Sequence, residues 1–349
     1  MRWKLTLAIV TLMTNVVAVG DICVAQDAHK LTQLGGEMSR EDAVSLEEHV
    51  KENPHNSVSR TKLLGYYFIK GRQDANAKSA KRDHVLWLIE NDPDAEVLRL
   101  PEGHLNKILE SEGYERAKQA WLRAVDRSPE NLSVLQNASS FFLIHDPQIA
   151  EELLLKGKAL DANNLQLSQS LGQIYSLQLL RLPAGTEKTA IAEKAFRQYE
   201  QAYNASEGEE RDALLAYLAK TAFAANLIDE ARMYANKMLE NDTRGWNHGN
   251  RVHHGNLILG RIALAAGDIE EAKSRLILAG KTGGSPQLNS FGPNMQLAKE
   301  LLERGETDAV LEYFDLCKKF WKSPHQKLEQ WTEDVKAKRI PEFGGNLNY

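Results

Sequence analysis

Cysteine is scarce in this chain, with Cys23 and Cys317 alone among 349 residues. Small disulfide-stapled scaffolds carry a far higher share, so the composition excludes that class. Proline is also scarce, at 10 residues, and the hydrophobic share is 42%, which excludes a disordered or low-complexity chain. The chain has no basic excess either. Its formal net charge of −5 argues against a dedicated nucleic-acid-binding protein.

Short catalytic and metal-binding motifs are missing as well. The chain contains no His-Glu-x-x-His pair and no Gly-x-Ser-x-Gly elbow. Gly280-Lys281-Thr282 ends like a phosphate-binding loop, but Arg275 stands where that loop requires its first glycine. Cys317 falls at a helix packing position with no base beside it, which favours a buried, inert thiol. We therefore expect no catalytic residue, no cofactor and no metal.

The N-terminal segment 1–25 predicts a secretory signal peptide. Arg2 and Lys4 precede an apolar stretch over 5–20, and Cys23 and Ala25 place small residues at the −3 and −1 positions of a cleavage site. An uncleaved anchor is the alternative, but the apolar run falls short of the ~20 residues that span a bilayer. We expect an exported protein, periplasmic or secreted, with a flexible stretch over 26–40 and no membrane span after cleavage.

The rest of the chain shows a regular spacing of small or apolar residues. Small or apolar residues recur at intervals of 33 to 47 residues, each expected in an apolar helix that is followed by an amphipathic one. The positions are Gly65, Leu105, Ala138, Gly172, Ala219, Gly260 and Ala298. Repeated helix pairs at such periods are typical of α-solenoids, in which each pair buries its apolar face against the next. The spacing predicts this architecture over 41–338, a C-terminal helix that caps it, and a tail over 339–349.

The clearest pair resembles the tetratricopeptide repeat. Its first helix carries Leu259, Gly260 and Ala263, Gly267-Asp268 forms the turn, and its second helix carries Ala272, Leu276 and Ala279. The first-helix Trp of that family is absent throughout. The resemblance implies an all-α, right-handed solenoid of about six to seven helix pairs, with binding on the concave face lined by the first helices. Turns are expected at Asn226 and Gly305 in two further pairs, and Leu328, Trp331 and Val335 are expected to form one apolar stripe on the C-terminal helix.

In such arrays the residue after the small motif position faces the groove. The positions concerned are Tyr66, Ser139, Gln173, Lys220, Arg261 and Lys299, with Gln169 on the same expected face. The three consecutive cations predict a ladder that recognises carboxylates or other anions. The alternative is ordinary surface charge, because lysine and arginine are common on exposed helical faces.

The segment 245–256 differs in composition from its surroundings. It holds His248, His253 and His254 together with Asn250 and Asn256. A structured loop that precedes the next helix, at the rim of the groove, is the leading interpretation, and a metal module around the histidines is a rival. Residues 280–294 are rich in Gly and Pro and are expected to form a connector beside it.

These observations favour a non-enzymatic interaction scaffold that binds an extended peptide or protein segment on its concave face. The cations favour anionic groups on that partner, and no nucleic-acid partner is expected. The competing class is an exported carbohydrate-active enzyme with an α/α-toroid, since such folds also repeat helix pairs. That enzyme would need two carboxylates facing one cleft.

Overall fold

The computed structural model describes residues 25–71, 74–240, 245–322 and 326–348. Within those ranges the chain forms α-helices and short 3-10 helices and no strand, so the all-α prediction is confirmed. The predicted signal peptide lies outside the described residues except for Ala25. The chain divides into two compact units, Met1–Ile174 and Tyr175–Tyr349.

The first unit is built from seven described helices and part of an eighth. In chain order they are α1 (Ala25–Glu37), α2 (Arg40–Glu52), α3 (Ser57–Lys70), α4 (Ala75–Asn91), α5 (Ser111–Arg127), α6 (Leu132–Phe142) and α7 (Pro147–Leu160), followed by α8 (Leu165–Leu179), which crosses the unit boundary. Each helix from α2 to α6 packs on the next one along the chain. The core contains the fully buried side chains of Trp121, Tyr114 and Phe142.

The prediction that 26–40 is flexible is wrong, because α1 is a helix that packs tightly on α3. Two glycines set this close approach. A Cβ on Gly35 would lie 1.9 Å from the Lys62 carbonyl oxygen, and a Cβ on Gly65 would lie 2.0 Å from the Thr32 carbonyl oxygen. Gly65 thus allows α3 to pack closely on α1, a helix that the repeat pattern did not include.

One predicted first helix is missing. Leu105 was expected inside an apolar helix, but it lies in an irregular segment that contains two 3-10 turns, Glu96–Arg99 and Pro101–Gly103. Pro93 and Pro101 explain the difference, since proline lacks the N–H that a helix interior needs and disfavours helical backbone just before it. Leu105 is still buried, with 3% of its surface exposed. The segment therefore packs as a compact substitute for the helix.

The second unit continues with nine further helices. They are α9 (Thr186–Ala205), α10 (Gly208–Ala224), α11 (Ile228–Glu240), α12 (His248–Ala265), α13 (Ile269–Gly280), α14 (Pro286–Phe291), α15 (Gln296–Leu302), α16 (Thr307–Cys317) and α17 (Lys327–Lys336). Consecutive helices from α9 to α13 pack on each other, and α13 packs on both α15 and α16.

Three turns of this unit repeat one geometry. Asn226, Gly267 and Gly305 all have positive φ, at 61°, 85° and 86°. In each case the next residue donates its N–H to the carbonyl five positions back, at 2.9 to 3.1 Å. This bond ends α10, α12 and α15 with the left-handed C-terminal cap that favours Gly or Asn. The three turn positions predicted from the sequence are confirmed.

The prediction of a loop over 245–256 is wrong, because α12 already begins at His248. Glycine and asparagine have low helix propensity, and tertiary contacts override it here. A Cβ on Gly249 would lie 2.0 Å from the Gly284 carbonyl oxygen, so glycine is needed where the connector crosses the helix. The connector itself is less irregular than expected, since residues 286–291 form the short helix α14.

The C-terminal residues complete the core of this unit. Leu328, Trp331 and Val335 of α17 are buried, as the predicted stripe requires. The expected tail is docked as well: the Phe343 ring lies 5.0 Å from Trp331, and Asn346 donates to the carbonyls of residues 291 and 293. Residues up to 348 therefore belong to the packed unit.

Candidate functional site

The candidate site lies on one face of α10 and α12 in the second unit. Leu218, Ala219 and Ala222 of α10 are fully buried, so the helix turns its other side, with Tyr217 and Lys220, away from the core. Lys220 is half-buried and Tyr217 keeps 36% of its surface exposed. The predicted groove position at Lys220 thus stays accessible.

The Lys220 amine has no hydrogen bond or ion pair with any residue that the structure describes. Burial and, to a smaller extent, the positive charge of Arg261 lower the pKa of Lys220 to about 8. Both causes act against the charged form of the amine. A partner that supplies negative charge, or that removes the positive charge, would relieve this penalty.

The other two cations of the predicted ladder are already neutralised. Arg261 donates through Nε to both oxygens of Glu300 at 3.0 Å and through Nη2 to Oε1 at 2.7 Å. Its guanidinium also lies 4.5 Å from the centre of the Phe223 ring. Lys299 is ion-paired with Glu303, the residue that caps the C-terminal end of α15. Two of the three cations of the predicted ladder are therefore paired with carboxylates. Lys220 is the one without such a partner among the described residues.

Tyr217, three residues before Lys220 on α10, belongs to a stacked aromatic pair. The rings of Tyr199 on α9 and Tyr217 on α10 stack at 5.0 Å between centroids, and the Tyr199 hydroxyl lies 3.3 Å from the Ser176 hydroxyl. Burial raises the pKa of both phenols, so both remain protonated donors at neutral pH. Tyr199 is 3% exposed and Tyr217 is 36% exposed, so Tyr217 is the ring of this pair that offers contact area to a ligand.

His254 of α12 lies close enough to Lys220 for the charge of the lysine to act on it. Burial lowers the pKa of His254 well below its usual value, and the charges of Lys220 and His253 act in the same direction. The imidazole of His254 is therefore neutral at pH 7. A neutral imidazole both donates and accepts a hydrogen bond, which suits a polar ligand group held next to Lys220.

His253 has a different role, although it is the neighbour of His254 in sequence. Its Nδ1 lies 3.0 Å from the Ala279 carbonyl oxygen, and its Nε2 accepts from the Asn294 N–H at 3.1 Å. These partners fix the neutral tautomer with the proton on Nδ1. Burial lowers the pKa of His253 to about 4. Both ring nitrogens are used to join α12 to α13 and the connector, so His253 is a structural residue.

The remaining rim candidates are also engaged inside the unit. Asn250 donates to the Gln287 side chain at 2.6 Å and accepts from the Ser285 hydroxyl at 2.7 Å. Asn256 accepts from Arg275 at 3.2 Å. His248 differs from these, because its buried Nδ1 has no partner among the described residues. The histidine and asparagine segment thus serves mainly to attach the connector to α12.

The candidates of the first unit are not equivalent to Lys220. Tyr66 is 8% exposed and packs with Ala43, Val50 and Leu63, so the prediction that it lines an open groove is wrong. Helix α2, which carries two of these residues, covers it. Gln169 and Gln173 are half-buried on α8, before the unit boundary.

A buried polar network in the first unit was not predicted. His84 lies 2.8 Å from the Glu47 carboxylate through Nε2 and 3.1 Å from the Arg60 guanidinium through Nδ1. Tyr67 donates to the same Glu47 oxygen at 2.8 Å, and Arg60 stacks 3.6 Å above the Trp87 ring. Burial pulls the pKa of Glu47 upward, but the bonds from His84 and Tyr67 outweigh it and hold that pKa low. The network ties α2, α3 and α4 together.

Sequence reasoning found Lys220 but missed its surroundings. Tyr217 lies three residues before Lys220 on the same helix, so the i, i+3 spacing could have placed both on one face. Tyr199 and His254 come from other helices, and no local pattern indicates that they would meet. The ion pairs of Arg261 and Lys299 were equally hidden, because Glu300 was not part of any motif.

The described residues contain no group of three or more His, Cys, Asp or Glu side chains placed to hold a metal ion. None of the helices in the described ranges is long and apolar enough to cross a membrane. No protein-family model matches the chain, and no curated protein matches it.

Proposed function

We propose that this chain is an exported, non-enzymatic interaction scaffold. Its helix pairs form a right-handed α-solenoid of about six to seven tetratricopeptide-like repeats, and the face around Lys220 binds an extended peptide or protein segment. A carboxylate of that segment pairs with the Lys220 amine, and the neighbouring residue packs on Tyr217.

The single observation that carries the proposal is the unpartnered amine on an accessible face. The other two cations of the predicted ladder, Arg261 and Lys299, have carboxylate partners at bonding distance, and Lys220 has none among the described residues. A half-buried ammonium without a counterion is unfavourable, so an incoming carboxylate gains a charge-assisted hydrogen bond. The polar donors nearby, the Tyr217 phenol and the His254 imidazole, suit the same ligand.

The proposal is tested with a library of extended synthetic peptides screened against the purified chain. We expect the binders to carry Asp, Glu or a terminal carboxylate. Replacing Lys220 by Gln should weaken the best binder by about 10-fold, which corresponds to about 1.4 kcal/mol. The matched control is Lys299→Gln on α15, whose amine is already paired with Glu303 and should change affinity less than about twofold.

Two results would contradict the proposal. One is the absence of any peptide whose binding saturates. The other is a set of binders whose affinity is the same for the native chain and for Lys220→Gln. Circular dichroism and thermal unfolding of each variant show whether a lost affinity reflects a lost fold.

A further inference from the structure

Residues 292–295, here called the strap, join α14 to α15 and lie inside the second unit. All four are buried, and Met295 is fully so. They are not part of a helix, and other elements supply bonds to their backbone. Asn346 donates to one strap carbonyl at 3.0 Å and accepts from the Met295 N–H at 2.8 Å. The Tyr313 hydroxyl donates to the Asn294 carbonyl at 2.8 Å. The strap is thus held by side chains and backbone groups from outside it.

His253 of α12 holds the strap through a bond whose direction is fixed. Its Nε2 accepts from the Asn294 N–H at 3.1 Å, and its Nδ1 lies 3.0 Å from the Ala279 carbonyl oxygen. A backbone N–H can only donate and a carbonyl oxygen can only accept, so the ring carries its one proton on Nδ1. A second proton, on Nε2, would place two donors face to face and would leave the buried Asn294 N–H without this acceptor.

The groups around His253 also oppose a second proton. From α10, the positive charge of Lys220 acts on the ring. On α12 the His254 ring lies 5.1 Å away, and on α16 the Tyr313 ring stacks on His253 at 6.3 Å. Burial is the main cause that lowers the pKa of His253 to about 4.

The other elements next to α12 bring charges that are already paired, or bring none. Helix α14 has no charged side chain, and Lys281 at the start of the connector is exposed. Helix α11 meets Gly255 of α12 through Ala235 and Leu239. The paired charges on α13 and α15 are Arg275 with Glu271, Glu300 with Arg261, and Lys299 with Glu303.

We propose that His253 is an acid-sensitive latch, in which protonation of Nε2 breaks the bond to Asn294 and releases the strap while the surrounding helices stay folded. Release exposes Met295 and the Trp321 ring, which are 0% and 3% exposed in the closed form. The strap covers that ring closely, since a Cβ on Gly292 would lie 2.4 Å from it. The latch needs no ligand, so it is independent of the scaffold function proposed above.

The size of the effect follows from proton linkage. In the released form the His253 imidazole is solvated, and its pKa returns to about 6.5. Between this value and the closed-form pKa of about 4, the released form binds more protons than the closed form. Closure is therefore favoured above about pH 6.5 and weakens as the pH falls. From pH 7 to pH 5 the ratio of closed to released molecules should fall about 20-fold.

The test is hydrogen exchange of the full chain at pH 7 and pH 5, with mass spectrometry of peptides that cover the strap and, separately, α13. After correction for the pH dependence of the intrinsic exchange rate, we expect the protection of the strap to fall about 20-fold at pH 5. Low concentrations of urea should leave the strap rate unchanged, because a local opening exposes little surface, and should accelerate exchange in α13. Protection that does not depend on pH, or strap exchange only in step with α13, would overturn the proposal.

Three variants assign the response to His253. His253→Gln should lose the acid response of the strap. His254→Gln removes the neighbouring imidazole and should retain the response, and it tests the assignment even if His253→Gln does not fold. Tyr313→Phe deletes the bond to the Asn294 carbonyl, so it should lower strap protection at both pH values and keep the acid response of about 20-fold. A response that persists in His253→Gln, or that disappears in His254→Gln, would overturn the latch.

Discussion

The two units place the same repeat position in opposite environments. In the first unit the residue after the small motif position is covered: Tyr66 is 8% exposed beneath α2, and Ser139 is 4% exposed. In the second unit the corresponding Lys220 is accessible and unpartnered among the described residues. The helices that carry these residues follow one pattern, so the difference arises from what packs against them.

Segments outside the repeat pattern cause the covering in the first unit. Helix α2 covers Tyr66 of α3, and the irregular stretch 93–104 packs on α6. On α6, Asn137 donates to the carbonyls of residues 93 and 95, and Ser140 donates to that of residue 99. A repeat pattern can therefore locate a helix without showing whether its face stays open.

The largest expected effect concerns helix α1 of the first unit, which packs on α3. Gly35→Ala would force a Cβ to within 1.9 Å of the Lys62 carbonyl oxygen, and it should lower the free energy of unfolding by about 3 kcal/mol. Urea unfolding followed by circular dichroism measures it. Gly36→Ala is the matched control, because its Cβ would meet a side-chain carbon at 3.4 Å and gains helix propensity. Equal effects of the two substitutions would contradict the close packing of α1.

The second prediction uses pH to test the clamp at His253 in the second unit. The folded pKa of about 4 lies below the unfolded value near 6.5, so the unfolded chain binds more protons between these values. The stability from His253 is thus present above about pH 6.5 and is lost as pH falls toward 4, by about 2 kcal/mol between pH 7 and pH 5. His253→Phe should be less stable at pH 7 and lose about 2 kcal/mol less on this acidification. An identical pH slope for both chains would contradict the assignment.

Burial lowers the pKa of Lys81 and that of Lys220 to about 8, and the two lysines should respond to substitution with opposite signs. Lys81→Met leaves the His104 carbonyl and the buried oxygens of Glu102 and Glu110 without their nearby cation, and it should destabilise the chain by about 1.5 kcal/mol. Lys220→Met removes an uncompensated charge and should stabilise the chain by about 1 kcal/mol, after allowance for its partial exposure. Guanidinium unfolding at pH 7 distinguishes them. Destabilisation by both substitutions would contradict the view that Lys220 is kept for binding.

The smallest effects concern the two paired cations of the predicted ladder, Arg261 and Lys299. A double-mutant cycle on Arg261 and Glu300, which are both about one-quarter exposed, should give a coupling of about 1 kcal/mol. The same cycle on Lys299 and Glu303, which are more exposed, should give about 0.3 kcal/mol. A larger coupling free energy for Lys299–Glu303 than for Arg261–Glu300 would contradict the expectation that the less exposed pair is the stronger one.

Much of the fold was predictable, because small residues at regular spacing mark helix pairs that pack closely. The turns at Asn226, Gly267 and Gly305 follow from one local cap geometry, and the stripe of α17 follows from helical periodicity. The missing helix around Leu105 was predictable in part, since Pro93 and Pro101 flank that stretch. The helix over 248–256 was not, because its Gly and Asn residues disfavour a helix until the connector packs on them.

Less of the candidate site was predictable. The position of Lys220 follows from the repeat register. Arg261 and Lys299 are not available to a ligand because they form ion pairs with Glu300 and Glu303, and the repeat pattern does not predict these pairs. The burial of Tyr66 depends on α2, which precedes the first predicted pair. Charge on a helical face is visible in a sequence, whereas the partner of that charge is set by tertiary packing.

The central claim is that Lys220 is open and unpaired while Lys81, with an equally lowered pKa, is closed. Competitive labelling of all lysines with trace acetic anhydride, followed across pH 6 to 11 by peptide mapping, measures the reactivity of each amine in the folded chain. We expect Lys220 to react rapidly with a midpoint near pH 8, and Lys81 to react only after the chain is unfolded. Protection of Lys220 to the same degree as Lys81 would contradict the account.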